Sequence, residues 1–263
     1  VPSELYLFEQ LRGFDVDGLL DARDQAVRKA AIENTDLWQE LFHKYAAQDG
    51  FKVDADSMAN RALANIAFSY WCQSLAAQED AAGLARLLED RYGAADNLTD
   101  RRTVLSLVAR LPELDEQKRQ RILEDFYTQW QSQALVIDLW FNLQAQSPRS
   151  DVPALQALTS HPGFDRKNPN RVRSVYGAFG MLNLRRLHAL DGSGYEFVAS
   201  AVAEMDTINP QIAARLATPL TRWKKFDPTR QRLMRDALNS LLSGATQELS
   251  KDLFEIVSKS LDQ

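Results

Sequence analysis

The sequence predicts an all-α protein of roughly a dozen short helices, packed as a bundle or a helix-pair solenoid. Two observations carry that reading. Apolar residues recur at steps of three and four along nearly the whole chain, which gathers them on one helical face. No run alternates over five or more positions with turn signals on both sides, and the β-branched residues are scattered. There is no fixed-period repeat, so a solenoid here is an irregular one.

Taken in order, Ser3 is placed to cap a helix carrying Leu5, Phe8 and Leu11, which Gly13 stops. A second helix carries Leu19, Leu20, Arg23, Val27 and Ala31. A third carries Leu37, Trp38, Leu41, Phe42 and Tyr45 before Gly50. From Met58 the pattern is denser, with Ala62, Leu63, Ile66, Ala67, Tyr70, Trp71 and Leu75, and predicts a helix buried between neighbours. Tyr70 and Trp71 read as packing residues, and Cys72 as a small core thiol. Leu84, Leu87 and Leu88 mark a shorter helix. Thr99 or Asp100 then caps one that buries Val104, Leu105, Val108 and Leu111, ended by Pro112.

Asp115 opens the next helix, with Ile122, Leu123, Phe126, Tyr127 and Trp130 in register. Leu135, Val136, Leu139, Trp140 and Leu143 form another, closed by Pro148. Asp151 and Pro153 start a short helix through Leu155 and Leu158. Late in the chain Asp227-Pro228 begins a helix with Leu233, Met234, Ala237, Leu238 and Leu241 on its face, ended by Gly244. Ser250 caps the last one, with Leu253, Phe254, Val257 and Leu261 inward.

The most distinctive stretch runs from Asn168 to Arg215. Asn168-Pro169 and Asn209-Pro210 both read as helix starts, because Asn accepts from free N–H groups and Pro lacks the N–H that would be unpaired there. Arg171 and Arg173 follow one cap, and Arg215 follows the other. Asp191-Gly192-Ser193-Gly194 is expected to be a flexible turn that folds the helices back, so that the arginines face a common space. Arginines on helices are usually solvated. The sharper expectation is a guanidinium pair aimed at a carboxylate or backbone carbonyl, which suits the planar fork of donors. From Asp165 to Asp236 there are thirteen Lys and Arg against seven Asp and Glu, a basic segment in a chain of net charge −5. Such a patch attracts anions without naming one.

Composition bounds the rest. The 263 residues are 45% apolar and 25% charged, with a mean hydropathy of −0.36, ordinary for a globular protein. No apolar run approaches the roughly 18 residues of a membrane span. With one cysteine there is no internal disulfide, and nothing asks for an oxidising compartment. The start, Val1-Pro2-Ser3-Glu4, has neither an initiator Met nor a signal-peptide pattern, and reads as a piece of a longer polypeptide. The histidines His43, His161 and His188 lie far apart and form no zinc-binding spacing. There is no phosphate loop and no Gly-x-Ser-x-Gly elbow. Ser193 has only His188 nearby as a conceivable base. From the residues alone this is a helical domain without a visible active site.

A set of stretches adds to this: Arg61-Ala62-Leu63-Ala64-Asn65, Ala95-Asp96-Asn97-Leu98-Thr99-Asp100, Leu135 to Phe141, Asn168 to Ser174, Gly177-Ala178-Phe179, Asp191 to Tyr195, Asn209 to Leu216 and Asp252-Leu253-Phe254. In this order they resemble the C-terminal helical domain of aminopeptidase N, the bacterial-type zinc metallo-aminopeptidase of the gluzincin class. The resemblance implies an armadillo- or HEAT-like superhelix spanning residues 1–263 as one domain and closing over a zinc-bearing catalytic domain of the same polypeptide. The family's His-Glu-x-x-His and Gly-x-Met-Glu-Asn motifs are absent from this chain. It therefore implies zinc elsewhere, no cofactor and no catalytic residue here, and no catalysis by this chain alone. Arg173, Gln211 and Arg215 match positions lining the family's substrate channel, where they would contact peptide. Asn183-Leu184-Arg185-Arg186-Leu187-His188 departs from the family's Asn-Pro followed by Phe-His, which leaves the shape of that loop open.

The resulting expectation is the closing domain of a cytoplasmic zinc aminopeptidase that removes N-terminal residues from peptides, with no nucleic-acid or membrane partner. The rival is a free-standing helical scaffold that binds a protein or peptide in a groove. Nucleic-acid binding is suggested only by the basic segment, without basic residues interleaved with aromatics.

Overall fold

The computed structural model describes residues 1–46, 50–243 and 249–262, and among them there is no strand. The chain falls into two compact units, Asp21–Trp130 with Val1, and Pro2–Leu20 with Gln131–Gln263.

The first unit holds most of α2 (Val16–Glu33), then α3 (Thr35–Tyr45), α4 (Ala55–Ala77), α5 (Ala81–Ala94), α6 (Leu98–Arg110) and α7 (Glu116–Trp130). Its core takes Phe68, Leu84, Leu88, Leu105 and Phe126 out of water completely. Trp38 stacks on Tyr70 at 4.5 Å between ring centroids, and Trp71 lies 5.8 Å from Phe42, so Tyr70 and Trp71 are packing residues. Buried Asp100 joins two of the distinctive stretches. It accepts from Asn65 Nδ2 at 2.9 Å and from Arg91 Nη2 at 2.7 Å. The cap of α6 is Asn97, whose Oδ1 accepts from Asp100 N at 3.0 Å, not Thr99 or Asp100.

Helix α4 corrects a second expectation. Met58, Leu63 and Ile66 are exposed at 55%, 46% and 53%, and the inward face is instead Ala64, Asn65, Ala67, Phe68 and Cys72. The helix is apolar on both sides, and small residues are what permit close approach to neighbours. Spacing cannot tell two apolar faces apart.

The second unit holds α1 (Glu4–Gln10), α8 (Ala134–Ala145), α9 (Val152–Ser160), α10 (Pro169–Val172), a π-helical turn (Arg173–Gly177), α11 (Ala178–Leu182), α12 (Leu184–Leu187), α13 (Ser193–Ile208), α14 (Pro210–Leu216), α15 (Thr218–Thr221), a 3₁₀ turn (Trp223–Lys225), α16 (Pro228–Ser243) and α17 (Lys251–Asp262). Phe141, Leu155, Phe179, Tyr195, Met234 and Leu253 lie at its centre. Ser3 caps α1 as expected, accepting from Tyr6 N at 3.3 Å. Phe8 then packs edge-on to Phe14 at 5.0 Å. Asp17, at the start of α2, accepts from Arg230 Nη2 at 2.7 Å, which ties the chain's first residues to α16. Asp151 and Asp227 cap as expected. Leu135 and Phe254 do not point inward but are 74% and 55% exposed, because their neighbours Ile137 and Leu253 occupy the buried side. The expected stop at Gly244 lies outside the described residues.

Candidate functional site

The arginines of the central stretch separate into two kinds. Asn168 accepts from Asn170 N at 3.0 Å and Arg171 N at 3.4 Å, and so caps α10. Arg171 then points into the unit and is buried. Its Nε donates to Asp138 Oδ1 at 2.6 Å and its Nη1 to Gly163 O, while the guanidinium lies 4.8 Å from the Phe141 ring centroid. Its Nη2 donates to Ala134 O at 3.4 Å, so each guanidinium nitrogen has an acceptor within the protein, and the expectation of a space shared by all three arginines is corrected for this one. Arg171 is a staple between α8 and α10.

Arg173 is exposed. Its Nη2 donates to Asn170 Oδ1 at 2.7 Å and its Nε to Pro169 O at 3.1 Å, which hold the side chain along the first turn. It opens the π-helical turn, where the N–H of Ala178 reaches back five residues to Arg173 O. Such wide turns recur at functional sites. On α14, Asn209 accepts from Ile212 N at 3.2 Å and aims the helix. Gln211 and Arg215 project to solvent, and neither side chain makes a hydrogen bond or ion pair with a described residue. The two arginine-bearing elements meet at Gly177. A Cβ there would lie 3.6 Å from Arg173 Cβ and 3.9 Å from Leu216 Cδ2, the residue after Arg215.

The turn between them is closely packed and internally bonded. Gly192 adopts φ +78°, and a Cβ on Gly194 would lie 2.5 Å from Leu187 O. Asp191 accepts from Ser193 N at 3.0 Å and from Ser193 Oγ at 2.7 Å, and those bonds hold its carboxyl below the usual range. The Ser193 hydroxyl donates to Asp191, whereas the Nδ1 of His188 is engaged with Tyr195 OH and not with Ser193.

The segment that departs from the family pattern is well packed. Buried Asn183 directs its amide at Ala145 O, Ser147 O and Ser150 O, at 3.1, 2.6 and 3.2 Å, and Arg186 Nε donates to Pro148 O at 2.6 Å. His188 is buried with its Nδ1 2.8 Å from Tyr195 OH and its ring 4.2 Å from that of Phe226. Burial first, and the nearby Arg230 second, push its pKa down to about 3, so the ring is neutral. Nothing in the local sequence announces these polar hubs except the clustering of the distinctive stretches around them.

Among the described residues no group of three or more His, Cys, Asp or Glu side chains is placed to hold a metal ion, and no helix is long and apolar enough to cross a membrane. A concavity of about 550 Å³ along α9 and α13 is lined by a charge pair that is already made, Arg166 Nε to Glu204 Oε1 at 2.5 Å.

Comparison with known proteins agrees with this architecture. Residues 1–262 match the family described as a domain of unknown function (DUF3458_C) made of ARM repeats. The chain is 34% identical over 262 residues to aminopeptidase N of Haemophilus influenzae and to that of Caulobacter vibrioides, and 34% identical over 266 residues to that of Escherichia coli. In each case the match takes in 99% of this chain but only 29% of the relative's length, in its C-terminal region. The crystal structure of Legionella pneumophila aminopeptidase A in complex with aspartic acid superposes on all of this chain, and on 30% of that one, with a TM-score of 0.86 and 28% identity. The chain belongs to the DUF3458_C ARM-repeat family, the helical C-terminal region that aminopeptidases N carry.

Proposed function

We propose that residues 1–263 act as the C-terminal domain of a cytoplasmic zinc aminopeptidase that removes N-terminal residues from peptides. In this reading the domain closes the reaction chamber, and Arg173, Gln211 and Arg215 line the route taken by the peptide. The observation that carries it is the exposed pair Gln211 and Arg215, whose side chains have no partner among the described residues, on a capped helix that meets the Arg173 turn at Gly177. A planar guanidinium with its donors unspent suits a peptide's terminal carboxylate or its backbone carbonyls. Arg173, already braced by Pro169 O and Asn170, would present its remaining donors in a fixed orientation. The zinc that the family implies finds no ligand set among the described residues, so no step through the metal is assigned to this chain.

The test uses the complete enzyme. Arg215→Ala should raise KM for peptides of three or more residues by roughly tenfold or more, the worth of a hydrogen bond to a charged group, while single-residue amides change little. Equal effects on both substrate classes would overturn the channel role. Zinc-dependent hydrolysis of aminoacyl-nitroanilides by the purified 263-residue chain would overturn its assignment as non-catalytic.

A further inference from the structure

The first three turns of α4 expose an entire apolar stripe. Met58, Ala59, Ala62, Leu63 and Ile66 follow one another at steps of one and three, and all are exposed. Single apolar residues on a surface are ordinary, but a continuous helical stripe marks a contact. Two residues before the helix extend it. Val53 and Met58 take the positions on either side of the Asp54 cap that normally close on each other as a hydrophobic staple, yet they are 76% and 55% exposed. Phe51, half exposed, is held beside the helix by Arg61, whose guanidinium lies 4.8 Å from its ring centroid and donates to Lys52 O at 3.3 Å. The flanking polar groups Asp54, Asp56 and Asn60 give the patch a rim.

Resting on the reading above, we propose that this face is the docking surface for the rest of the same polypeptide. The aminopeptidases that match 99% of this chain have only 29% of their length in the match, so a far larger body accompanies this domain in them. The partner is therefore an apolar surface of that body, covering Met58 to Ile66.

Methionine oxidation tests it, because the chain carries its own controls: Met58 is exposed, whereas Met205 and Met234 are fully buried. Dilute peroxide is applied to the 263-residue chain and to the natural polypeptide that contains it. Met58 should oxidise readily in the first and at least tenfold more slowly in the second, with Met205 and Met234 slow in both. Leu63→Glu should leave the melting temperature of the 263-residue chain unchanged and restore fast Met58 oxidation in the longer polypeptide. Equal Met58 rates in both proteins would overturn the proposal, as would protection of the 263-residue chain that grows with its concentration, since a second copy would then cover the face. An intact mass of 29.8 kDa for the natural product would sink the proposed function itself, and is read before any oxidation is measured.

Discussion

Arg171 Nε lies 2.6 Å from Asp138 Oδ1 across 33 residues of sequence, and both side chains are almost out of water, at 8% and 14% exposure. The pair fastens the Leu135–Phe141 stretch to the Asn168–Ser174 stretch, two of the segments that carry the family resemblance. Removing one partner strands the other charge in a poorly solvated place. Asp138→Ala should therefore cost about 3–5 kcal/mol and lower the melting temperature by roughly 10 °C. Arg171→Met with Asp138→Leu should recover much of the loss, because a packed apolar pair carries no stranded charge. A double-mutant cycle followed by thermal melts checks both statements; additive losses would count against coupling.

His188 gives a pH dependence with a definite sign. The unfolded imidazole takes up a proton near pH 6.5, the folded one only near pH 3. Between these values the unfolded state holds more protons, so each fall in pH favours unfolding, with a slope of about 1.4 kcal/mol per pH unit from this group. Urea titrations of the wild type and of His188→Gln between pH 6.5 and 4 should show the variant losing less stability across that window. Parallel curves would mean that the folded ring titrates freely.

Two glycines should respond oppositely to alanine. At Gly194 the new Cβ would meet Leu187 O at 2.5 Å and Arg186 O at 2.6 Å, backbone atoms that cannot turn aside. Gly194→Ala should cost at least about 2 kcal/mol. At Gly93, within α5, nothing lies within 4 Å, and Gly93→Ala should gain about 0.5 kcal/mol from helix propensity. Chemical denaturation of both variants compares them directly.

Cys72 should be inert in the native state. Its thiol is fully buried and burial pushes its pKa well up, so little nucleophilic thiolate forms. Ellman's reagent should find no thiol in the native protein and one per chain in guanidinium. Rapid native labelling would mean that α4 opens.

Much of this protein is legible one segment at a time. Asn168, Asn209 and Asp227 announce their helices because a cap acts within three residues, and the ordered stretches identify the family. Whether a helical residue ends up as staple or as free donor is not a local matter. Arg171 and Arg173 stand two positions apart, about 200° around a helix, and only the presence of Asp138 and Phe141 from α8 decides that the first is consumed. The same holds for α4, whose two apolar faces look alike until α3 and α5 take one of them. Local chemistry therefore determined where this chain coils and which arginines were candidates. Partners brought from thirty or more residues away decided which of them remain available, because burial is a property of neighbours.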